Sequence, residues 1–230
     1  MVLRTLHFEV CKPNLKFSSV IAETLMHSVI GKHGHYLRCA QLCKRVYTSK
    51  SNVLVYRQDG HTYITVKGTS QSNWSFNTPF IKNSVGVHAG FAQYADQCVN
   101  DCNVSKYVEQ ATDGVTFCGH SIGAAAAALM AYEFRRNATI KQIDLVMFGA
   151  PKIGNDAFAS RFRKALIPTA SFECIDDYVC NLPFGFLGYV KTPTDDDTLR
   201  FEASCIGLEA HKIDTYIDFV SIREKKSRIL

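Results

Sequence analysis

"TFCGHSIGAAAAALMA" (residues 116–131) holds one serine between two glycines, with an apolar run before it and five consecutive alanines behind it. Val115–Cys118 is short, apolar and β-prone, Gly119–Gly123 reads as a turn, and Ala124 onward favours helix. The helix is expected to end near Arg135 and Arg136, which suit a helix C-terminus. A strand that turns at once into a helix strains the serine backbone and excludes bulk beside it. Gly119 and Gly123 supply that room, and the alanines let the helix lie close to a sheet. Ser121 is thereby lifted clear of the sheet at a helix N-terminus, where the dipole favours a developing negative charge.

The surroundings extend this pattern. Upstream, "VLVYRQDGHTYITV" sets two β-rich runs around Asp59-Gly60, a hairpin turn pair. Residues 17–47 read as two helical pieces separated by "GKHGH", and residues 90–111 as a broken helix. Downstream, "IDLVMFGAP" is a buried strand and "DAFASRFRKAL" a helix. "ASFECI" and "LRFEASCIG" are further strands, and "HKIDTYIDFV" is a last helix. Strands alternating with helices imply a largely parallel central sheet flanked by helices, with an antiparallel hairpin near the N-terminal side. With no repeat or linker in sight, residues 1–230 read as one α/β domain. The strand–turn–helix around Ser121 is the nucleophile elbow of the α/β-hydrolase fold.

A serine hydroxyl is a weak nucleophile at neutral pH and needs a base, itself oriented by an acid. In this fold the partners follow in the order serine, acid, histidine. One histidine lies after Ser121, namely His211. Asp177 is the preferred acid, since it follows a strand at its carboxyl end. Asp176 would face differently, and Asp195, Asp196 and Asp197 read as a solvated loop. His120 is adjacent to Ser121 and is expected to pack beside the elbow rather than act as base. The backbone N–H of Ile122 and Thr69 in "VKGTS" are candidate oxyanion donors.

Composition excludes other classes. The net charge of +5 is modest, and no nucleic-acid module is visible. No run approaches the roughly 20 apolar residues of a spanning helix, and the start lacks the pattern of a signal peptide. The expectation is therefore a cytoplasmic protein by default, whose nine cysteines are free, buried thiols. His33, His35, Cys39 and Cys43 are zinc-ligand types, but their spacing matches no common zinc pattern, and no metal is expected. His88 reads as a buried, hydrogen-bonding histidine.

Taken together, the motifs resemble those of the class 3 (fungal-type) lipases. "TVKGTSQSNW" resembles that family's oxyanion segment, "VHAGFAQYA" its His-x-Gly-Phe helix start, and "GHSIGAAAAALMA" its GHSLGG elbow. "FGAPKIGNDAFA", "DYVCNLP" and "HKIDTY" resemble its later segments in order; the second selects Asp177 over Asp176. Lys67, Ala124 and Cys180 stand where the family usually has Arg, Gly and Pro. The resemblance implies hydrolysis of lipid acyl esters such as acylglycerols, with no cofactor. Phospholipase A1-type activity is one alternative. A lipase-like binding or signalling module without turnover is the other. Trp74, Phe76 and Phe80 stand where relatives carry a mobile lid. Phe184, Phe186 and Leu187 in "LPFGFLGYV" are candidates for an acyl groove or an interfacial rim on a lipid or membrane surface. Oligomeric state leaves no mark on the sequence.

Overall fold

Ile143–Phe148 is a strand (β4) buried at every position, and its side chains divide between two apolar layers. Ile143, Leu145 and Met147 enter one core cluster, while Val146 and Phe148 enter the other. A strand covered on both faces reads as a nearly continuous apolar run, interrupted here by the buried Asp144, whose Oδ2 accepts the Thr116 hydroxyl (3.2 Å). The computed structural model describes residues 34–68, 80–137, 142–192 and 197–226. Of the two helical pieces expected over residues 17–47, the first lies outside the described residues.

Two strands precede it as a hairpin, β1 (Val53–Gln58) and β2 (His61–Val66), and pair antiparallel. Asp59 (φ +49°) and Gly60 (φ +78°) both take the left-handed conformation that a tight hairpin needs. β3 (Gly114–His120), β4, β5 (Thr169–Cys174) and β6 (Thr198–Phe201) follow in parallel, and the six strands lie side by side in sequence order.

Helices cover both faces. α1 (His35–Val46) lies on one face, with the final helix of the chain, Ile213–Lys226, beside it. Between them lie Cys39, Leu42, Phe148, Phe172, Phe201, Tyr216 and Phe219. α2 (Ala89–Asp101), α3 (Val104–Glu109), α4 (Ile122–Asn137) and α5 (Asp156–Lys164) cover the other. The helix expected over 90–111 is broken at Asn103, whose φ of +49° no helix can hold. α4 packs against β2, β3, β4 and α2, so Ala124–Ala128 are fully buried. Five successive residues run right round a helix, so α4 is buried on every side there, and the small side chains let its neighbours lie close. The final helix is α6. Among the described residues no helix is long and apolar enough to cross a membrane.

Among the described cysteines one departs from the expectation of free thiols. Cys39, Cys43, Cys98, Cys118, Cys174 and Cys180 are free and buried, and Cys102 is free and half-buried. Cys205, however, is disulfide-bonded, so the reading of all nine cysteines as free thiols fails there.

Phe148 anchors the α1/α6 layer, stacked on Phe172 at 5.1 Å and edge-on to Tyr216 at 6.2 Å. Phe148→Ala is expected to cost about 3–5 kcal/mol by leaving a cavity, read as a lower urea midpoint with an unchanged slope.

Candidate active site

Parallel strands direct their following loops to one end of the sheet, and the candidate residues gather there. β3 ends at His120, and α4 opens at Ile122. Ser121 alone makes the turn, at a φ of +61°. That left-handed conformation costs an L-residue on the order of 1–3 kcal/mol and persists only where surrounding contacts enforce it. Here the Ser121 N–H donates to the Phe148 carbonyl (3.0 Å), and its own carbonyl accepts from the Ala124 N–H (2.9 Å). A Cβ on Gly119 would overlap the Gly123 carbonyl, and one on Gly123 would overlap the Val66 carbonyl.

The loop after β6 brings His211 to this serine. Its Nε2 lies 2.9 Å from Ser121 Oγ, and its Nδ1 lies 2.6 Å from Asp177 Oδ2. All three side chains are buried. With Nδ1–H donated to the carboxylate, Nε2 is left as the acceptor for the serine proton. Asp177 follows β5. Its Oδ1 accepts the Val179 N–H (2.8 Å), and its Oδ2 also accepts the Tyr216 hydroxyl (2.6 Å) and the Cys180 thiol (3.5 Å). Burial opposes ionisation of Asp177, but the donors His211, Tyr216 and Val179 outweigh it and hold its pKa below the usual carboxylate value. Asp176 turns away, its Oδ2 accepting the Ala203 N–H (3.1 Å).

His120 lies against this group in a different role. Its ring is 4.6 Å from that of His211, its Nε2–H donates to the His211 carbonyl (2.7 Å), and its Nδ1 accepts the Tyr47 hydroxyl (2.7 Å). Burial, then the neighbouring His211, push its pKa down to about 3. It is a neutral strut that fixes the backbone of the loop carrying His211. Neither this strut nor the Tyr216 hydroxyl was assigned from sequence. Tyr47 is far from His120 in the chain, and a tyrosine in an amphipathic helix reads as core.

The remaining candidates divide. Ile122 sits next to Ser121 at the start of α4. Thr69, Trp74 and Phe76 lie outside the described residues. Phe80 is half-buried, edge-on to His88 at 6.1 Å. His88 itself is buried and caps α2 by accepting the Gly90 N–H (3.1 Å) at Nδ1. Phe184, Phe186 and Leu187 project from the surface rather than into the core. Cys39, Cys43 and His35 are buried under the sheet, and among the described residues no group of three or more His, Cys, Asp or Glu is arranged to hold a metal ion.

A hydroxyl on a strained turn, an imidazole on that hydroxyl and a buried carboxylate behind the imidazole form an arrangement suited to acyl transfer on an α/β-hydrolase fold. The sequence pattern of the Lipase (class 3) family matches residues 61–186. A lipase of Rhizopus niveus is 29% identical over 202 residues, spanning 75% of this chain and 51% of that protein. A chloroplastic phospholipase A(1) of Arabidopsis thaliana is 31% identical over 93 residues, spanning 39% of this chain and 20% of that protein. Among solved structures, a triacylglycerol lipase whose catalytic centre is formed by a serine protease triad aligns with a TM-score of 0.54 at 28% identity. That alignment covers 60% of this chain and 57% of that one. The chain therefore belongs to the class 3 lipase family. It spans about half or less of the length of the first curated relatives it matches.

The buried neutral His120 makes stability depend on pH. The unfolded chain protonates this residue near pH 6.5, whereas the folded chain keeps it neutral down to about pH 3. The unfolded state thus holds the extra proton across that window, and stability falls as pH drops through it, by up to about 1.4 kcal/mol per pH unit. His120→Gln, which can still donate to the His211 carbonyl, is expected to flatten this dependence in urea titrations between pH 3 and 6.5.

Proposed function

We propose that this chain is a serine hydrolase that cleaves carboxylic ester bonds of lipids, with Ser121 as nucleophile, His211 as general base and acid, and Asp177 as the group that orients and stabilises the imidazole. The observation that carries the reading is the continuous hydrogen-bonded line from Asp177 Oδ2 through both nitrogens of His211 to Ser121 Oγ.

The chemistry proceeds in two halves. Ser121 Oγ attacks the ester carbonyl carbon as its proton passes to His211 Nε2. The carbonyl oxygen becomes an oxyanion, held by the N–H of Ile122 and by Thr69. Removing one such donor typically costs about 2.7–4 kcal/mol of transition-state stabilisation. The ionised Asp177 stabilises the imidazolium. Collapse breaks the bond to the leaving alcohol, which takes the proton from His211 and departs, leaving an acyl ester on Ser121. Water, deprotonated by the same imidazole, attacks that ester and releases the fatty acid.

Similarity to the Rhizopus lipase and to the triacylglycerol lipase structure supports acylglycerol esters as the substrate class. A second reading, phospholipid deacylation of the phospholipase A1 type, has the similarity to the Arabidopsis enzyme in its favour. A panel of glycerides and phospholipids, with released fatty acid as the readout, separates the two. A third reading, a lipase-like binding module, predicts no turnover at all.

Ser121→Ala is expected to fold normally, to lose labelling by a fluorophosphonate probe, and to lose turnover of a short-chain nitrophenyl ester by about 10⁴-fold or more. Undiminished turnover in that variant refutes the assignment. Tyr216→Phe removes one hydrogen bond to a charged acceptor, worth about 1.5–3 kcal/mol, and should lower kcat with little change in KM.

A further inference from the structure

Ten large apolar side chains stand exposed among the described residues, and seven of them lie on the loops that follow β5 and β6. These are Ile175, Tyr178, Phe184, Phe186, Leu187, Ile206 and Leu208. Those loops also carry Asp177 and His211, so the exposed apolar surface is concentrated at the end of the sheet where Ser121 sits. Scattered exposed apolar residues need no explanation, but a cluster at one end does.

The sharpest part is the turn Gly185–Leu187. The rings of Phe184 and Phe186 stack on each other at 5.5 Å, nearly parallel, and are 48% and 84% exposed. The turn is fixed by its own hydrogen bonds, Leu187 N–H to the Phe184 carbonyl (3.0 Å) and Gly188 N–H to the Gly185 carbonyl (2.8 Å). It is tied to the segment after β4 on both sides, Lys152 N–H to the Leu182 carbonyl (2.6 Å) and Val190 N–H to the Gly154 carbonyl (2.9 Å). An aromatic pair on so firm a mount loses little further entropy when it is buried against something else.

Cations flank the pair. The Lys82 ammonium donates to the Leu187 carbonyl (2.6 Å) and lies over the Tyr189 ring at 4.4 Å. Lys152 Nζ lies 3.9 Å from where a Cβ on Gly185 would stand. Neither lysine is within ion-pair distance of a carboxylate among the described residues, although Lys191 and Glu173 act on Lys152 from farther away. Lys191 and Arg200, which lie nearby, converge on the single buried carboxylate of Glu173. The patch is therefore aromatic at its crest and cationic at its flanks.

We propose that the Phe184–Phe186 turn, with Lys82 and Lys152, is the surface by which the chain seats on a lipid layer carrying anionic headgroups. This deepens the lipid-ester reading and rests on it. Phenyl rings of this exposure enter the boundary between headgroups and acyl chains, while lysine stems let the ammonium groups stay at the phosphates. An anionic layer adds attraction of about 1 kcal/mol, or about fivefold in affinity, per lysine. A second copy on the same patch in a two-fold contact would bring the same lysines toward their counterparts, which opposes pairing. The arrangement points one end of the sheet, with Ser121, toward the layer.

Co-sedimentation with vesicles of ether-linked phospholipids, which contain no ester to cut, reads this apart from turnover. The vesicles are phosphatidylcholine alone, or phosphatidylcholine mixed with phosphatidylglycerol. The chain is expected to bind the mixed vesicles at least about tenfold more tightly, with the preference abolished by high salt. Lys82→Gln and Lys152→Gln should each weaken binding to mixed vesicles about fivefold and leave binding to phosphatidylcholine unchanged. Phe186→Ser should weaken binding to both, at an unchanged melting temperature. Equal binding to the two vesicle types, or full binding by the double variant Phe184→Ser/Phe186→Ser, overturns the proposal. So does self-association through this patch without vesicle binding. Fluorophosphonate labelling of Ser121 reports on the catalytic reading separately: labelling without vesicle binding sinks only the surface, and vesicle binding without labelling sinks only the chemistry.

Discussion

Where α4 meets the ends of β3 and β2, the backbones approach too closely for a side chain at two positions. Gly119 faces the carbonyl of Gly123, and Gly123 faces that of Val66. With both approaches closed, the chain can pass from strand to helix only through a single left-handed residue, and that residue is Ser121. The buried alanines of α4 continue the same constraint along the sheet. Backbone packing, rather than any contact of the hydroxyl itself, therefore sets where Ser121 Oγ stands. The strain stored there is balanced by an interior that cannot relax without opening the whole helix–sheet contact.

Opposite the serine, the problem is a carboxylate that must stay ionised although buried. Asp177 solves it with donors from three directions: the Val179 backbone, the Tyr216 hydroxyl and the His211 ring. These donors hold the negative charge in place and leave one orientation for the imidazole. His120 adds a second restraint from behind, on the His211 carbonyl. Its low pKa follows from burial, and keeping it neutral avoids a second positive charge beside the imidazole proposed as general base. Serine, histidine and carboxylate thus sit on three separate loops, each held by neighbouring groups outside the trio.

Much of this architecture is written locally. The apolar run of β4, the Asp59-Gly60 turn, and the strand–turn–helix at Ser121 each depend on residues a few positions apart, so pattern alone reveals them. The order serine, acid, histidine, with one histidine after Ser121, narrowed the site to named residues. The limits appeared where contacts are long-range. Tyr216 looks like an ordinary core residue of α6 until the fold sets its hydroxyl on Asp177. The pairing of Tyr47 with His120 joins the C-terminal cap of α1 to the elbow, 73 residues away in the chain. The disulfide at Cys205 contradicts an inference drawn from composition, because composition cannot report which two sulfurs meet.

The linear chain by itself determined the α/β class, the elbow, the hairpin and the candidate trio, because each is encoded in short-range periodicity, in glycines that only a tight approach requires, and in chain order. Only the tertiary structure decided which nitrogen of His211 faces which partner, which neighbours hold Asp177 ionised, and that Phe184 and Phe186 stand outside the core with lysines beside them. Those facts are set by burial and by distances between segments far apart in sequence, and neither quantity exists until the chain has folded.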